Sequence, residues 1–314
     1  MKKSIVAILA LMCVLSGCTG SKSANAPFLM GKKNFDDQVI NQLKATQSVF
    51  FYKRNKGVPD EAFEKTISEG WTLTPLIFDD IKNFDKYAGN PSFSYFIIEG
   101  VSTTVSNSRG FSYTNIHYYL TLQLFKEVTK KGKLITEGLC RIELYPDTET
   151  IELGLDGKAA DKVISSLYKA GLFYNWEPVL LKANLANVST NLSNKFRPWL
   201  FAETKEANLK ELLASDTLYV PKRLLMKFNA FNGNEKERDE SIFSGYRFKY
   251  RICSDEELYR IFEVEKRGRF LFEYVKSSTD KFVSVHDLKQ KKIIYKNYTP
   301  VSYNLKSKDV SAIR

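Results

Sequence analysis

Hydrophobic and polar positions along the chain follow two rhythms, one of period two and one near 3.6, which mark strands and helices respectively. Ser48-Val49-Phe50-Phe51-Tyr52 is aromatic and β-branched and predicts a strand. Pro59 can open a helix at its first turn, with Asp60 and Glu61 where the dipole favours acid. Phe63 and Ile67, four residues apart, face its core side. Gly70 ends that helix, and Trp71 to Phe78 predicts the next strand. Asp79 or Asp80 then caps a short helix carrying Ile81, Phe84 and Tyr87. Further strands are expected at Phe93–Ile98, Tyr118–Phe125 and Leu134–Leu144.

The same pattern returns in the second half. Thr217 to Val220 reads as a strand, and a longer loop with a polar helical stretch from Glu235 to Phe243 leads to Gly245. Tyr246 to Cys253 reads as the next strand. Trp71, Leu73 and Ile77 match Tyr246, Phe248 and Ile252 at one constant offset of 175, with Pro75 opposite Tyr250 as the weak member. Asp79-Asp80 matches Ser254-Asp255, again a cap, here before Leu258, Ile261 and Phe262. Phe96-Ile-Ile98 corresponds to Phe270-Leu-Phe272. A shared order of elements at a fixed spacing is the mark of internal duplication.

Between the halves, Ala160, Val163, Ile164 and Leu167 keep helical spacing up to Gly171. Leu181, Leu185, Val188 and Leu192 do so after Pro178, and Leu209, Leu212 and Leu213 make a third short helix. Such stripes fit helix-on-sheet packing; a groove for a partner is the alternative. After Phe272, Ser277 to Asp280 supply the turn of a hairpin and Leu288 to Lys292 a second turn into Ile293-Ile294-Tyr295. The result is a three-stranded meander with Lys289, Lys291 and Lys292 at a tip.

The expected fold class is α+β: two related β-α-β-α-β-β units with mixed and antiparallel sheets, joined by helices. The expected division is an export signal over 1–17, a flexible tether over 18–33, a first unit over 34–157, a helical connector over 158–214 and a second unit over 215–314.

The opening residues do not belong to either rhythm. Lys2 and Lys3 precede an apolar run from Ile5 to Val14, shorter than the about 20 residues that span a bilayer. Leu15-Ser16-Gly17-Cys18 closes it, and this anatomy is that of an export signal. Leu-Ser-Gly-Cys resembles the lipobox of bacterial lipoproteins. The resemblance implies that the peptide before Cys18 is removed and that Cys18 carries the lipid. One acyl chain binds membranes only marginally, so stable anchoring takes two or more. Thr19, where inner-membrane-retained lipoproteins often carry Asp, implies the outer membrane. Gly20 to Pro27 lacks an acidic run, which places the body facing the periplasm.

Beyond that signal remain 297 residues, enough for two domains. Without Lys2 and Lys3 the formal charge of +11 becomes +9, which makes anionic lipid or cell-wall polymer plausible as partners. The plainer reading is a lysine-rich solvated surface, because the charges are spread out. A nucleic-acid partner does not suit an exported chain. Cys140 and Cys253 remain in apolar runs and read as buried free thiols, although an oxidising compartment permits pairing.

Catalytic motifs are absent: no G-x-S-x-G, H-E-x-x-H or phosphate-binding glycine loop occurs. Of two histidines, His117 lies in Asn-Ile-His-Tyr-Tyr and His286 precedes Asp287. Adjacent strand residues point to opposite faces, so the His286–Asp287 pair is not a triad fragment. Two scattered histidines do not suggest zinc. No catalytic residue, metal ligand or cofactor is assigned. A centre built from carboxylates stays open, with Asp80, Glu99 and Glu143 as candidates that also read as a cap and strand-edge charges. Two basic turns, Lys130 to Lys133 and the Lys289, Lys291, Lys292 tip, are candidates for anionic lipid or glycan. The aromatic set Phe111, Tyr113, Tyr118 and Tyr119 is either a contact surface or core.

Thr217-Leu-Tyr-Val-Pro221, Lys227-Phe-Asn229 and Lys276-Ser-Ser-Thr-Asp-Lys-Phe-Val-Ser284 resemble lipoproteins of Bacteroidota-type bacteria, a likeness that brings no activity with it. In element order alone the units are similar to small α/β domains of periplasmic assembly factors, such as the curli-secretion lipoprotein and the N-terminal domain of TolB. Fold analogy does not transfer function. The leading expectation is a non-catalytic, membrane-anchored lipoprotein acting in cell-envelope interaction or assembly, with an envelope protein as a possible partner. The alternatives are a binder of anionic polymer or lipid through the basic tips and a carboxylate-based hydrolase.

Overall fold

The computed structural model describes residues 34–53, 60–106, 112–130, 134–150, 167–168, 172–229 and 233–314. Cys18, the tether, the helical stripe through Ala160, Val163 and Ile164, Phe111 and Lys131 to Lys133 lie outside these residues. Helix α1 (Asp37–Lys44) packs Val39, Ile40 and Leu43 into the core. Strand β1 (Gln47–Phe51) buries Val49, Phe50 and Phe51 completely. Helix α2 (Glu61–Gly70) follows, its first turn held by Asp60, which accepts from the Phe63 amide at 3.0 Å. Strand β2 (Leu76–Asp79) and a 3₁₀ turn over Ile81–Lys86 come next, and Asp80 caps the turn by accepting from the Lys82 amide. Strands β3 (Phe93–Ser106), β4 (Ser112–Val128), β5 (Leu134–Gly138) and β6 (Ile142–Leu144) complete the first sheet.

β1 is parallel to both β2 and β3, with Phe50 beside Phe78 and Phe96. Parallel neighbours require a crossover, which α2 supplies. From β3 onward the sheet is antiparallel, and β5 and β6 both pair with β4.

The second sheet repeats the plan. Helix α3 (Pro178–Ser193), strand β7 (Thr204–Lys205) and helix α4 (Leu209–Ser215) precede β8 (Leu218–Pro221). A small hairpin of β9 (Met226–Phe228) and β10 (Glu235–Glu237) leads to β11 (Tyr250–Cys253). Helix α5 (Asp255–Tyr259) begins at a capping box of Ser254 and Glu257. Strands β12 (Phe270–Ser277), β13 (Asp280–Asp287) and β14 (Lys292–Thr299) form the meander, and α6 (Ser307–Ser311) ends it. The first sheet runs β2-β1-β3-β4-β5 and the second β11-β8-β12-β13-β14-β7. In each, a strand between two parallel partners is followed by an antiparallel meander. The class is α+β with mixed sheets.

Four expected elements differ. The strand expected from Trp71 begins only at Leu76. Trp71 instead turns into the core, edge-on to Phe96 at 5.0 Å, and its indole N–H reaches Thr74 Oγ1. The strand expected from Tyr246 likewise begins at Tyr250, because Tyr246 packs against Phe243. The helix expected over Glu235 to Phe243 is a strand followed by a 3₁₀ turn, Glu240–Phe243, which Asp239 caps by accepting from the Ser241 amide. The single strand expected over Leu134–Leu144 is two, interrupted at Leu139 to Arg141.

Helix α3 falls in the expected connector and serves both cores. Leu181, Leu185, Val188 and Leu192 pack with the first sheet, whereas Val179, Leu180 and Ala183 pack with the second. A helix apolar around most of its circumference must be buried on several sides. Its contact with α2 is backbone to backbone: a Cβ on Gly70 would stand 2.6 Å from the Lys182 carbonyl oxygen. Beside that crossing, Lys182 binds Glu69 at 2.5 Å and Glu263 at 2.9 Å, and Lys266 binds the same two carboxylates. This cluster ties α2, α3 and the turn after α5 together.

Candidate functional site

Between α3 and the two sheets lies a cavity of about 370 Å³. Its helical wall comes from Asn184, Asn187 and Asn191 of α3 and from Asn194 just beyond it. These positions are three, four and three residues apart, so they share one face of the helix. The opposite wall is a cross-strand row. Glu273 of β12 pairs with Ser284 of β13, which pairs with Lys296 of β14. Directly opposed residues project to the same side of a sheet, so all three line the cavity together. Arg141 and Glu143, at β6 of the first sheet, close the base. Phe196 and Trp199 also line it while remaining 38% and 40% exposed, which places them where it meets solvent.

The charges in this cavity are almost all balanced within the protein. Glu143 takes Arg141 on one oxygen and the Ser277 hydroxyl on the other, at 2.6 Å. Glu273 takes His286 at 2.8 Å and the amides of Asn175 and Asn184. Burial alone raises a carboxyl, but His286 and these amides overcome it and hold Glu273 below its ordinary range. Arg197 pairs with Glu137 at 3.0 Å and Lys292 with Glu206 at 2.8 Å. Lys296 differs. Its ammonium donates to the Leu200 carbonyl at 2.7 Å and stands 5.3 Å from the centre of the Phe282 ring, and it is in no ion pair among the described residues. Burial pushes its pKa down to about 8, against the opposing pull of Glu143 and Glu273.

A second chain of polar groups links the sheets behind the cavity. His117 Nδ1 lies 2.9 Å from Ser277 Oγ, which donates to Glu143. A serine between a histidine and a carboxylate invites a nucleophile reading. Here the hydroxyl proton goes to Glu143, and burial holds His117 below its ordinary pKa. The arrangement binds one sheet to the other and leaves no free nucleophile.

The remaining expected residues fall as follows. His286 and Asp287 face opposite ways, His286 to Glu273 and Asp287 to Arg269 at 2.8 Å. Asp80 is a cap. Glu99 accepts from Gln123 at 3.0 Å, and burial raises it to about 7. The offset that carries Phe96–Ile98 onto Phe270–Phe272 also carries Glu99 onto Glu273. Tyr118 and Tyr119 are core residues, and Arg141 stacks on Tyr119 at 4.2 Å. Cys140 and Cys253 are free and buried in different hydrophobic cores, and burial raises the Cys140 thiol to about 12.

The basic tip is docked on α3 and does not project freely. Lys289 and Lys291 are exposed, but the Lys291 carbonyl accepts from Thr190 Oγ1, and Lys292 is ion-paired. Lys291 also adopts a left-handed backbone, φ 54°, which fits a tight turn.

Among the described residues no helix is long and apolar enough to cross a membrane. Compared with known proteins, the chain matches no family model, no curated protein and no solved structure.

Proposed function

We propose that the protein is a non-catalytic lipoprotein held to the outer membrane through Cys18, its body in the periplasm, where it engages another envelope component through the cavity beside α3. The observation that carries this reading is the cavity's composition. It joins a stripe of side-chain amides, one cation without an ion-pair partner among the described residues and two exposed aromatic rings, which are groups that recognise a ligand.

The carboxylate-hydrolase alternative receives less support. It needs one carboxyl kept protonated as an acid and another free to act as base or nucleophile. The two carboxylates of the cavity, Glu143 and Glu273, have all four oxygens occupied by neighbouring side chains. Glu273 is also held below its ordinary pKa, the wrong direction for an acid.

Two experiments test the proposal together. Cys18→Ser should leave the signal uncleaved and remove the protein from the outer-membrane fraction. Crosslinking pull-down from intact envelopes should capture a component that Trp199→Ala reduces. Normal maturation and pelleting of Cys18→Ser would remove the location, and capture indifferent to Trp199 would remove the role of the cavity.

A further inference from the structure

Three polar groups face this cavity with hydrogen-bonding capacity that the described residues leave unused. The Ser284 hydroxyl and the Asn191 amide make no hydrogen bond to other described residues, and Lys296 keeps donors beyond the one given to Leu200. Asn187 uses its oxygen for the Ile293 amide at 3.2 Å, leaving its amide N–H groups. Ser284 and Lys296 are opposed across the β13–β14 ladder, so their side chains rise from neighbouring positions on the same face of the sheet, and both line the cavity. That pair suits the two oxygens of one carboxylate. Arg141, Arg197 and Lys292 are each paired with a carboxylate of the protein, so the cavity has a place for one anion and not for several.

The rest of the ligand is set by the other wall. Amides that a ligand covers without pairing cost free energy, so an alkyl chain laid along the half-buried Asn187 and Asn191 is disfavoured. A body rich in hydroxyls satisfies them. Trp199, exposed at the opening, offers a flat face to the C–H side of a ring. The volume of about 370 Å³ is near the lower end of small-molecule pockets, which are roughly 300–1,000 Å³, so it suits a small ligand or the end of a chain.

We infer that the cavity binds a sugar acid. Its single carboxylate is held by the Lys296 ammonium and the Ser284 hydroxyl, its hydroxyls by Asn187 and Asn191, and a ring face by Trp199. The inference rests on the reading of the cavity as a binding site and adds the class of ligand.

Titration calorimetry on the full-length lipidated protein in detergent tests it with three probes: glucuronate, glucose and octanoate. Glucuronate should bind at least tenfold more tightly than either of the others. Lys296→Met should abolish that preference over glucose, and Lys296→Arg should restore part of it. Affinity for glucuronate should fall as pH rises above about 8, as the free ammonium loses its proton. Equal affinity for glucuronate and glucose would overturn the role of Lys296. Tighter binding of octanoate would overturn the saccharide class while leaving a binding cavity. Failure of all three to bind would overturn the inference, whereas envelope capture through Trp199 separately decides the proposed function.

Discussion

Ser277 of the second sheet donates a hydrogen bond to Glu143 of the first at 2.6 Å, and both side chains are buried. With His117 on its other side, Ser277 is the polar pin between two sheets of the same design. Ser277→Ala leaves a buried carboxylate oxygen without a donor, which costs about 1–3 kcal/mol. Urea denaturation should show that loss as a lower midpoint. A variant as stable as the parent would mean the link is redundant.

Lys296 is held at a cost. At pH 7 its charge is less stable in the folded protein than in the unfolded chain, because burial lowers its pKa from 10.5 to about 8. The penalty is fully present below about pH 8 and is relieved as pH rises toward 10.5. Lys296→Met should therefore raise stability at pH 7 by about 2 kcal/mol while destroying anion binding. The gain should shrink as pH rises from about 8 and vanish above about 10.5. Lost stability at pH 7 would show that Lys296 is structural.

Glu177 behaves in the opposite sense. Its side chain caps α3 by accepting from the Leu180 amide at 2.9 Å, yet burial raises its pKa from 4.5 to about 7. Between those values the folded state retains a proton that the unfolded chain has lost, so stability falls as pH rises through the window. Glu177→Gln keeps an acceptor for the cap and should stabilise the protein by about 3 kcal/mol at pH 8, with little effect at pH 4. Thermal unfolding at the two pH values measures the difference.

Gly70→Ala should destabilise by about 1–3 kcal/mol, because a Cβ there meets the backbone of α3 and neither helix can move without disturbing the Lys182 cluster. A neutral result in chemical denaturation would show that the crossing is looser than its geometry.

Much of the fold was legible in the sequence because the strands carry runs of Val, Ile, Phe and Tyr, several of them bounded by caps such as Asp80 and Ser254. The paired offsets of Phe96–Ile98 and Phe270–Phe272 also follow one topology used twice. Trp71 and Tyr246 misled for a physical reason: an aromatic ring at an alternating position fills a core from a loop as well as from a strand. The cavity was less legible. Glu143 and Glu273, or Ser277 and His117, are more than a hundred residues apart, and only the packing of one sheet against the other brings them together. One signal was local. Asparagines at 184, 187, 191 and 194 recur at helical spacing along a leucine-rich helix, where amides have poor helix propensity and no place in an ordinary core.

The central claim is that the cavity between α3 and the sheets meets its partner in the envelope. A photoreactive amino acid at position 199 of the full-length chain, irradiated in intact cells, tests it most directly. A dominant product of increased mass should form, and it should disappear in both Cys18→Ser and Lys296→Met. Labelling that persists unchanged in both variants, or a product formed only from position 289 at the basic tip, would contradict the account.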